Sequence, residues 1–224
     1  TRSIESSPWV GFKYFKKFFD YYDFWPIVRN TLVVNFYSLL TFPLSLLLAL
    51  LLNHLPFRRY GKLVQNISYM PHFISTVVLC SMVIQFLNAR VGMINSLLGL
   101  FGVPAVNYMG KKEYYYSIYV WSGVWQGTGW GSIIYMAALS SVDPQLHEAA
   151  MIDGAGRWKR LWHVDFPAII PTIAITLILR MGSIMSIGFD KAWLLQTDAN
   201  LRASEVITTY VYKVGLANAS GNNY

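Results

Sequence analysis

Charge is what this sequence has least of. Only 13% of its 224 residues are Asp, Glu, Lys or Arg, while 54% are hydrophobic and 16% aromatic. Soluble domains carry about 25% charged residues, so composition excludes a water-soluble globule and places the chain in a membrane. Cysteine is almost absent: Cys80, alone and inside an apolar run, excludes both an intrachain disulfide and a cysteine zinc site. No Gly-x-x-x-x-Gly-Lys-Ser/Thr loop occurs, so ATP binding through a P-loop is excluded, and no Gly-x-Ser-x-Gly nucleophile elbow occurs either. His147-Glu148 opens like a His-Glu-x-x-His zinc site, but Met151 stands where the second histidine is needed. His54, His72, His147 and His163 are scattered, and interfacial histidines are more often solvated or hydrogen-bonded than ligating. These absences leave no catalytic residues and no metal ligands, so energy for any work would have to come from another subunit.

What remains is organised by long apolar runs. Residues 1–29 alternate rings (Trp9, Phe12, Phe15, Phe18, Phe19, Trp25) with Lys13, Lys16, Lys17 and Asp20, the pattern of a segment lying at headgroup depth. The opening residues do not read as a cleavable signal peptide. Spans are expected over 30–52, 66–88, 117–140 and 168–189, each long enough for a hydrocarbon core of roughly 30 Å. Pro43 is expected to kink the first, and Pro71 to sit in the first turn of the second or to kink it. Residues 90–116 are too short and too broken for a crossing, with a short interfacial helix expected near 92–100. Four crossings would put both ends of the chain on one side. The fold class is therefore an all-α, polytopic helical bundle forming one transmembrane domain over 1–224. The net charge of +7 sits in loops between spans, which fits acidic lipid headgroups or an anionic solute better than nucleic acid.

Polar groups inside the spans are the sharper signals. Gly123, Gly127 and Gly131 recur every four residues on one helix face, which suits close helix packing. Trp125, Gln126 and Tyr135 lie on the same span; rings and an amide could meet a sugar, or could simply pack. Thr172, Thr176, Arg180 and Ser183 follow 4, 4, 3 spacing and so share one face. Arg180 would fall near mid-span, where an arginine costs about 2.5–3.5 kcal/mol on insertion scales. Either it lines a solute path together with Ser183, or it pairs with a helix carbonyl or a partner's carboxylate.

The most polar stretch between two apolar runs is 143–167. Asp143 can cap a helix with Pro144 at its first position, good helix formers follow, and Gly154-Ala155-Gly156 can end it. A second short helical piece is expected from 157 to 164, making a helix–turn–helix along the membrane surface. Glu148-Ala149-Ala150, then Gly154, then Val164-x-Phe166-Pro167 resembles the EAA signature of ABC-importer permeases, E-A-A-x3-G-x9-I-x-L-P, with Val164 for Ile and Phe166 for Leu. Over 125–216 the chain is similar to the carbohydrate-uptake branch, including permeases for oligosaccharides and polysaccharides such as alginate.

That resemblance implies a function and partners. The loop 141–167 would be the cytoplasmic coupling helix, docking on an ATP-binding subunit through Glu148, Ala149, Ala150, Asp153, Gly154 and Arg157, with Glu148 holding the helix by hydrogen bonds. The chain would form the translocation path for a saccharide, neutral or acidic, with Trp125, Gln126, Tyr135, Arg180 and Ser183 as candidates along it. It would bind no cofactor itself; ATP and Mg would sit in two ATP-binding subunits. A second permease, identical or different, and an extracytoplasmic substrate-binding protein would complete the assembly in the inner membrane of a prokaryote. The family has at least six spans, so its first and last are expected to be absent from this stretch. Outside the resemblance, a secondary transporter or channel using Arg180 as an ion or proton element, or a membrane enzyme using Glu148 or His147, remains open.

Overall fold

The computed structural model describes residues 10–55 and 58–217, and every regular element among them is helical. Trp9 of the expected interfacial segment and the tail 218–224 lie outside the described residues. Helix α1 (Lys13–Phe19) is short, and its rings gather rather than disperse: Phe18 and Phe19 stand 5.0 and 5.1 Å from Phe24, and Phe18 lies 5.2 Å from Tyr210.

Helices α2 (Phe24–Leu40) and α3 (Pro43–Asn53) together make one 30-residue apolar segment, about 45 Å long at 1.5 Å per residue. It breaks at Thr41-Phe42, where Pro43 has no N–H to give and Thr41 Oγ1 donates instead to the Ser38 carbonyl at 2.8 Å. Helix α4 (Arg58–Tyr69), a tight turn Met70–Phe73 and helix α5 (Thr76–Phe86) follow. The span expected over 66–88, with Pro71 in its first turn or kinking it, is broken, the two pieces being bent by 99°. Pro71 lies in the tight turn, Ile74 is extended (ψ 128°), and Ser75 starts α5 anew, its Oγ accepting from the Val78 N–H at 3.4 Å.

Helix α6 (Met93–Gly99) is the short helix of the intervening loop, closed by Asn95, whose side chain donates to the Asn88 and Val106 carbonyls, each at 3.0 Å. Helix α7 (Lys112–Ser140) is the 29-residue axis against which α2, α3, α4 and α5 pack. Then come α8 (Pro144–Ile152), α9 (Arg157–Arg160), a wide π turn Leu161–Asp165 and α10 (Phe166–Gly182), which also rests on α7. Three short helices, α11 (Phe189–Leu194), α12 (Leu201–Ser204) and α13 (Ile207–Tyr212), and a wide π turn Lys213–Ala217 complete the described chain. By length and composition two helical segments could cross a membrane, Phe24–Asn53 and Arg157–Gly182, with the bent α4–α5 pair as a broken third. Helix α7 is long enough at about 43 Å, but its Gly, Ser, Tyr and Trp content makes it the least apolar of the long helices.

Two apolar clusters hold the bundle. One joins Phe42, Leu46, Ala49 and Leu50 of the first segment to Tyr135 and Leu139 of α7 and to Leu161 and Ile169. The other joins Val34, Cys80 and Tyr115 to Ile187, Ala192, Leu195, Ala203 and Val206. Asn30, fully buried, ties the second cluster together: its amide donates to the Arg202 and Glu205 carbonyls, both at 2.9 Å, and its Oδ1 accepts from the Tyr116 hydroxyl at 2.7 Å.

The glycines of α7 have unequal jobs. A Cβ at Gly131 would fall 2.7 Å from Ser45 Oγ on α3, and one at Gly123 would fall 3.0 Å from Lys191 Nζ. Gly127 meets nothing within 4 Å, whereas Gly129 lies hard against the Ser68 backbone of α4. The close approach therefore runs through Gly129 and Gly131. Gly129→Ala is expected to lower stability by about 1–3 kcal/mol, since backbone on both sides must shift. Gly127→Ala should not lower the thermal unfolding midpoint of the purified protein in detergent and should raise it slightly, since alanine is the better helix former.

Candidate functional site

The loop between α7 and α10 folds as its residues dictate. Asp143 caps α8, its Oδ1 accepting from the Gln145 N–H at 2.9 Å, and Pro144 takes the first helical position. The other end is a Schellman motif. Gly154 has φ +75°, its N–H donates to the Met151 carbonyl at 3.0 Å, and the Ala155 N–H donates to the Ala150 carbonyl at 2.8 Å. No residue of α8 is buried. Glu148 and Ala149 are exposed beside an uncovered apolar row in which Leu146 is 53%, Met151 51% and Ile152 87% exposed. Asp153 and Arg157 are exposed at the turn.

Two expectations for this loop are corrected. The second helical piece is not separate: α9, the π turn and α10 run as one 26-residue helix, Arg157–Gly182. Pro167 does not divide it, because the wide turn just before it absorbs the missing N–H. Nor does Glu148 hold the helix, for it makes no hydrogen bond or ion pair among the described residues.

The holding group is Asp165, fully buried in the π turn. Its Oδ2 accepts from His54 Nε2 at 2.9 Å, its Oδ1 accepts from Asn53 Nδ2 at 3.3 Å, and His147 Nε2 lies 3.5 Å from the same Oδ1. Three chain segments thus meet at one carboxylate. Sequence reasoning passed over it, treating the histidines as scattered; the available signal was an acidic residue inside the helix after a loop that carries its own histidine.

The second polar feature lies at the far end of α10. Arg180 is not at mid-span, because the helix ends at Gly182 and the chain turns through Ser183, whose N–H donates to the Arg180 carbonyl at 3.2 Å. Its charge therefore sits in the last helical turn, where the negative end of the helix dipole favours a cation. The guanidinium also lies 5.8 Å from the centre of the Phe42 ring. No carboxylate pairs with it among the described residues. With Asn35, Ser38, Leu39 and Ser183 it lines a cleft of about 330 Å³ between α2 and α10.

The other path candidates are elsewhere. Gln126 Nε2 donates at 2.8 Å to the Ile74 carbonyl that the α4–α5 break sets free. Tyr135 is 2% exposed, its hydroxyl 2.9 Å from that of Thr176, which in turn donates to the Thr172 carbonyl at 2.8 Å. Trp125, with Trp121, Leu79 and Met82, lines an almost wholly apolar groove. Arg180 and Ser183 share one site, and Trp125, Gln126 and Tyr135 are not part of it. Among the described residues no group of His, Cys, Asp and Glu is placed to hold a metal ion.

Comparison with known proteins places these features. Residues 41–212 match the family described as "Binding-protein-dependent transport system inner membrane component". Protein LplB of Bacillus subtilis is 39% identical over 215 residues, covering 96% of this chain and 68% of that protein. The "Polygalacturonan/rhamnogalacturonan transport system permease protein YteP" of the same organism is 40% identical over 214 residues, covering 95% of this chain and 67% of that protein. The crystal structure of a bacterial ABC transporter involved in import of the acidic polysaccharide alginate superposes with a TM-score of 0.92 at 39% identity, over 96% of this chain and 75% of that one.

Gly154 is the one position of the loop whose conformation excludes ordinary side chains. Gly154→Val is expected to cost roughly 1–2 kcal/mol in the left-handed region and to unfasten the end of α8. Gly154→Asn, which tolerates that region, should cost less. Hydrogen exchange of the Gly154 and Ala155 amides would show faster opening in the first variant.

Proposed function

The chain belongs to the binding-protein-dependent transport system inner membrane component family, and on that premise we propose which of its parts bind the motor and which meet the solute. It is the permease subunit of an ABC sugar importer and performs no catalysis itself. A secondary transporter or channel is not the reading this family supports. Helix α8 is the face that receives an ATP-binding subunit. The observation that carries this is the exposed row Leu146, Met151 and Ile152 beside the small, open Ala149, on a helix that buries nothing within its own chain. ATP and Mg sit in two such subunits, and a second permease, identical or different, closes the path. A related transporter is known in complex with an alginate pentasaccharide-bound periplasmic protein; a binding protein of that kind delivers the saccharide here. The complex lies in the inner membrane of a prokaryote.

The solute is an acidic oligosaccharide. Arg180 supports this reading: a cation with no carboxylate beside it among the described residues, in a cleft whose other polar groups, Asn35, Ser38 and Ser183, suit hydroxyls. Two of the similar proteins, whose names concern polygalacturonan and alginate, point the same way. Lys13, Lys16, Lys17, Arg90, Lys111 and Lys112 add positive charge on the side that faces the binding protein.

The test is uptake into vesicles holding the assembled importer and its binding protein. Vanadate-sensitive accumulation of labelled uronate oligosaccharides, not competed by neutral ones, is expected; accumulation without ATP would refute the assignment. Gly154→Val should keep ATP hydrolysis while uptake falls. Arg180→Gln should reduce uronate uptake about tenfold or more, the worth of a charge-assisted hydrogen bond of roughly 1.5–3 kcal/mol, with Arg180→Lys keeping part of it. Equal uptake by all three would remove Arg180 from the path.

A further inference from the structure

The family reading makes no use of Asp165. Its carboxylate is fully buried, yet both oxygens are occupied by groups from other segments: Asn53 and His54 at the end of α3, and His147 on α8. Helix α3 and the beginning of α10 are also locked together above this point by the cluster of Leu46, Leu50, Leu161 and Ile169. Helix α8 has no such hold. Its residues are all exposed or half-covered, and His147 and Ala150 are the half-covered pair. The side chain that fastens α8 to the bundle is therefore His147, and what it meets is Asp165.

We propose that Asp165 is a positioning residue for energy coupling: through His147 it fixes the tilt of α8, and through His54 it passes displacement of α8 to α3 as well as to α10. This rests on α8 being the docking face for the motor. One carboxylate shared by three segments makes them move as one body, so that both sides of the Arg180 cleft, α10 directly and α2 through α3, respond to one push. Without the pin, α8 follows the motor while the spans lag.

The experiment measures saccharide imported per ATP hydrolysed by the complete importer in vesicles, using labelled uronate oligosaccharides. His147→Leu leaves the buried residues of the spans in place and is expected to keep assembly and ATP hydrolysis while the ratio falls about tenfold, within the range of measured coupling between sites. His147→Gln, which keeps an N–H donor, should restore most of it. In an Asp165→Asn background His147→Leu should cause no further fall, because both act at one contact. If Asp165→Asn does not fold, the His54→Leu and His147→Leu double variant should be no worse than the poorer single. An unchanged ratio in His147→Leu, or full additivity in either pair, overturns the proposal and leaves motor docking on α8 intact. If instead no ATP-binding subunit co-purifies with the unmodified chain, the docking reading fails and the pin fails with it.

Discussion

Hydrocarbon offers no hydrogen bonds, so a helix can break inside a membrane only where another group takes over the backbone it frees. This chain breaks its helices repeatedly, and several of the freed carbonyls have a partner on another segment. The Ile74 carbonyl at the 99° bend accepts from Gln126, and the Arg202 and Glu205 carbonyls accept from Asn30. Asn200 in turn donates to the Met109 and Leu195 carbonyls at 3.1 and 3.0 Å. Helix α7 supplies Gln126, the Tyr116 hydroxyl that orients Asn30, and the Tyr135 hydroxyl that meets Thr176. Its modest hydropathy is therefore the consequence of its place: the central helix carries the polar groups that let its neighbours bend.

That arrangement also decides what could be read in advance. The loop 143–167 was legible because its signals are local. Asp143 caps, Pro144 starts and Gly154 stops whatever surrounds them, and the E-A-A-x3-G spacing identified the family. The fates of Gln126 and Tyr135 were not legible, since a mid-span amide or phenol reads the same facing a sugar or a freed carbonyl. Arg180 was placed too deep because the apolar run continues past Gly182, while the helix does not. The helix that runs on through Pro167 and Pro171, against the bend that follows Pro71, shows that a missing N–H does not by itself break a helix.

Asp165 belongs to the non-local class. Removing the hydrogen-bond partner of a buried polar group typically costs about 1–3 kcal/mol, because the group is left unsatisfied. Asp165 has its partners on two segments more than a hundred residues and eighteen residues away in sequence. Through His147, 3.5 Å away, it reaches a nine-residue helix whose own apolar residues face outward. The orientation of α8 is thus set by two devices of different kind, a left-handed glycine that ends it and a carboxylate that anchors it.

The two ends of α10 complete the argument. Asp165 and Arg180 are fifteen residues apart on one helix, about 22 Å. Between them the hydroxyl pair of Tyr135 and Thr176 fastens α10 to α7, and Ile170, Ile175, Ile178 and Leu179 face away from the chain. Ile169, Ile173 and Leu177 pack on the other side, so the helix is held along its length. Across the cleft from Arg180 stand Asn35 and Ser38, the opposite wall. That wall is part of the α2–α3 segment, whose break at Thr41-Phe42 lies beside Arg180 and whose far end is His54. Both walls of the polar cleft between α2 and α10 therefore lead to the same buried carboxylate.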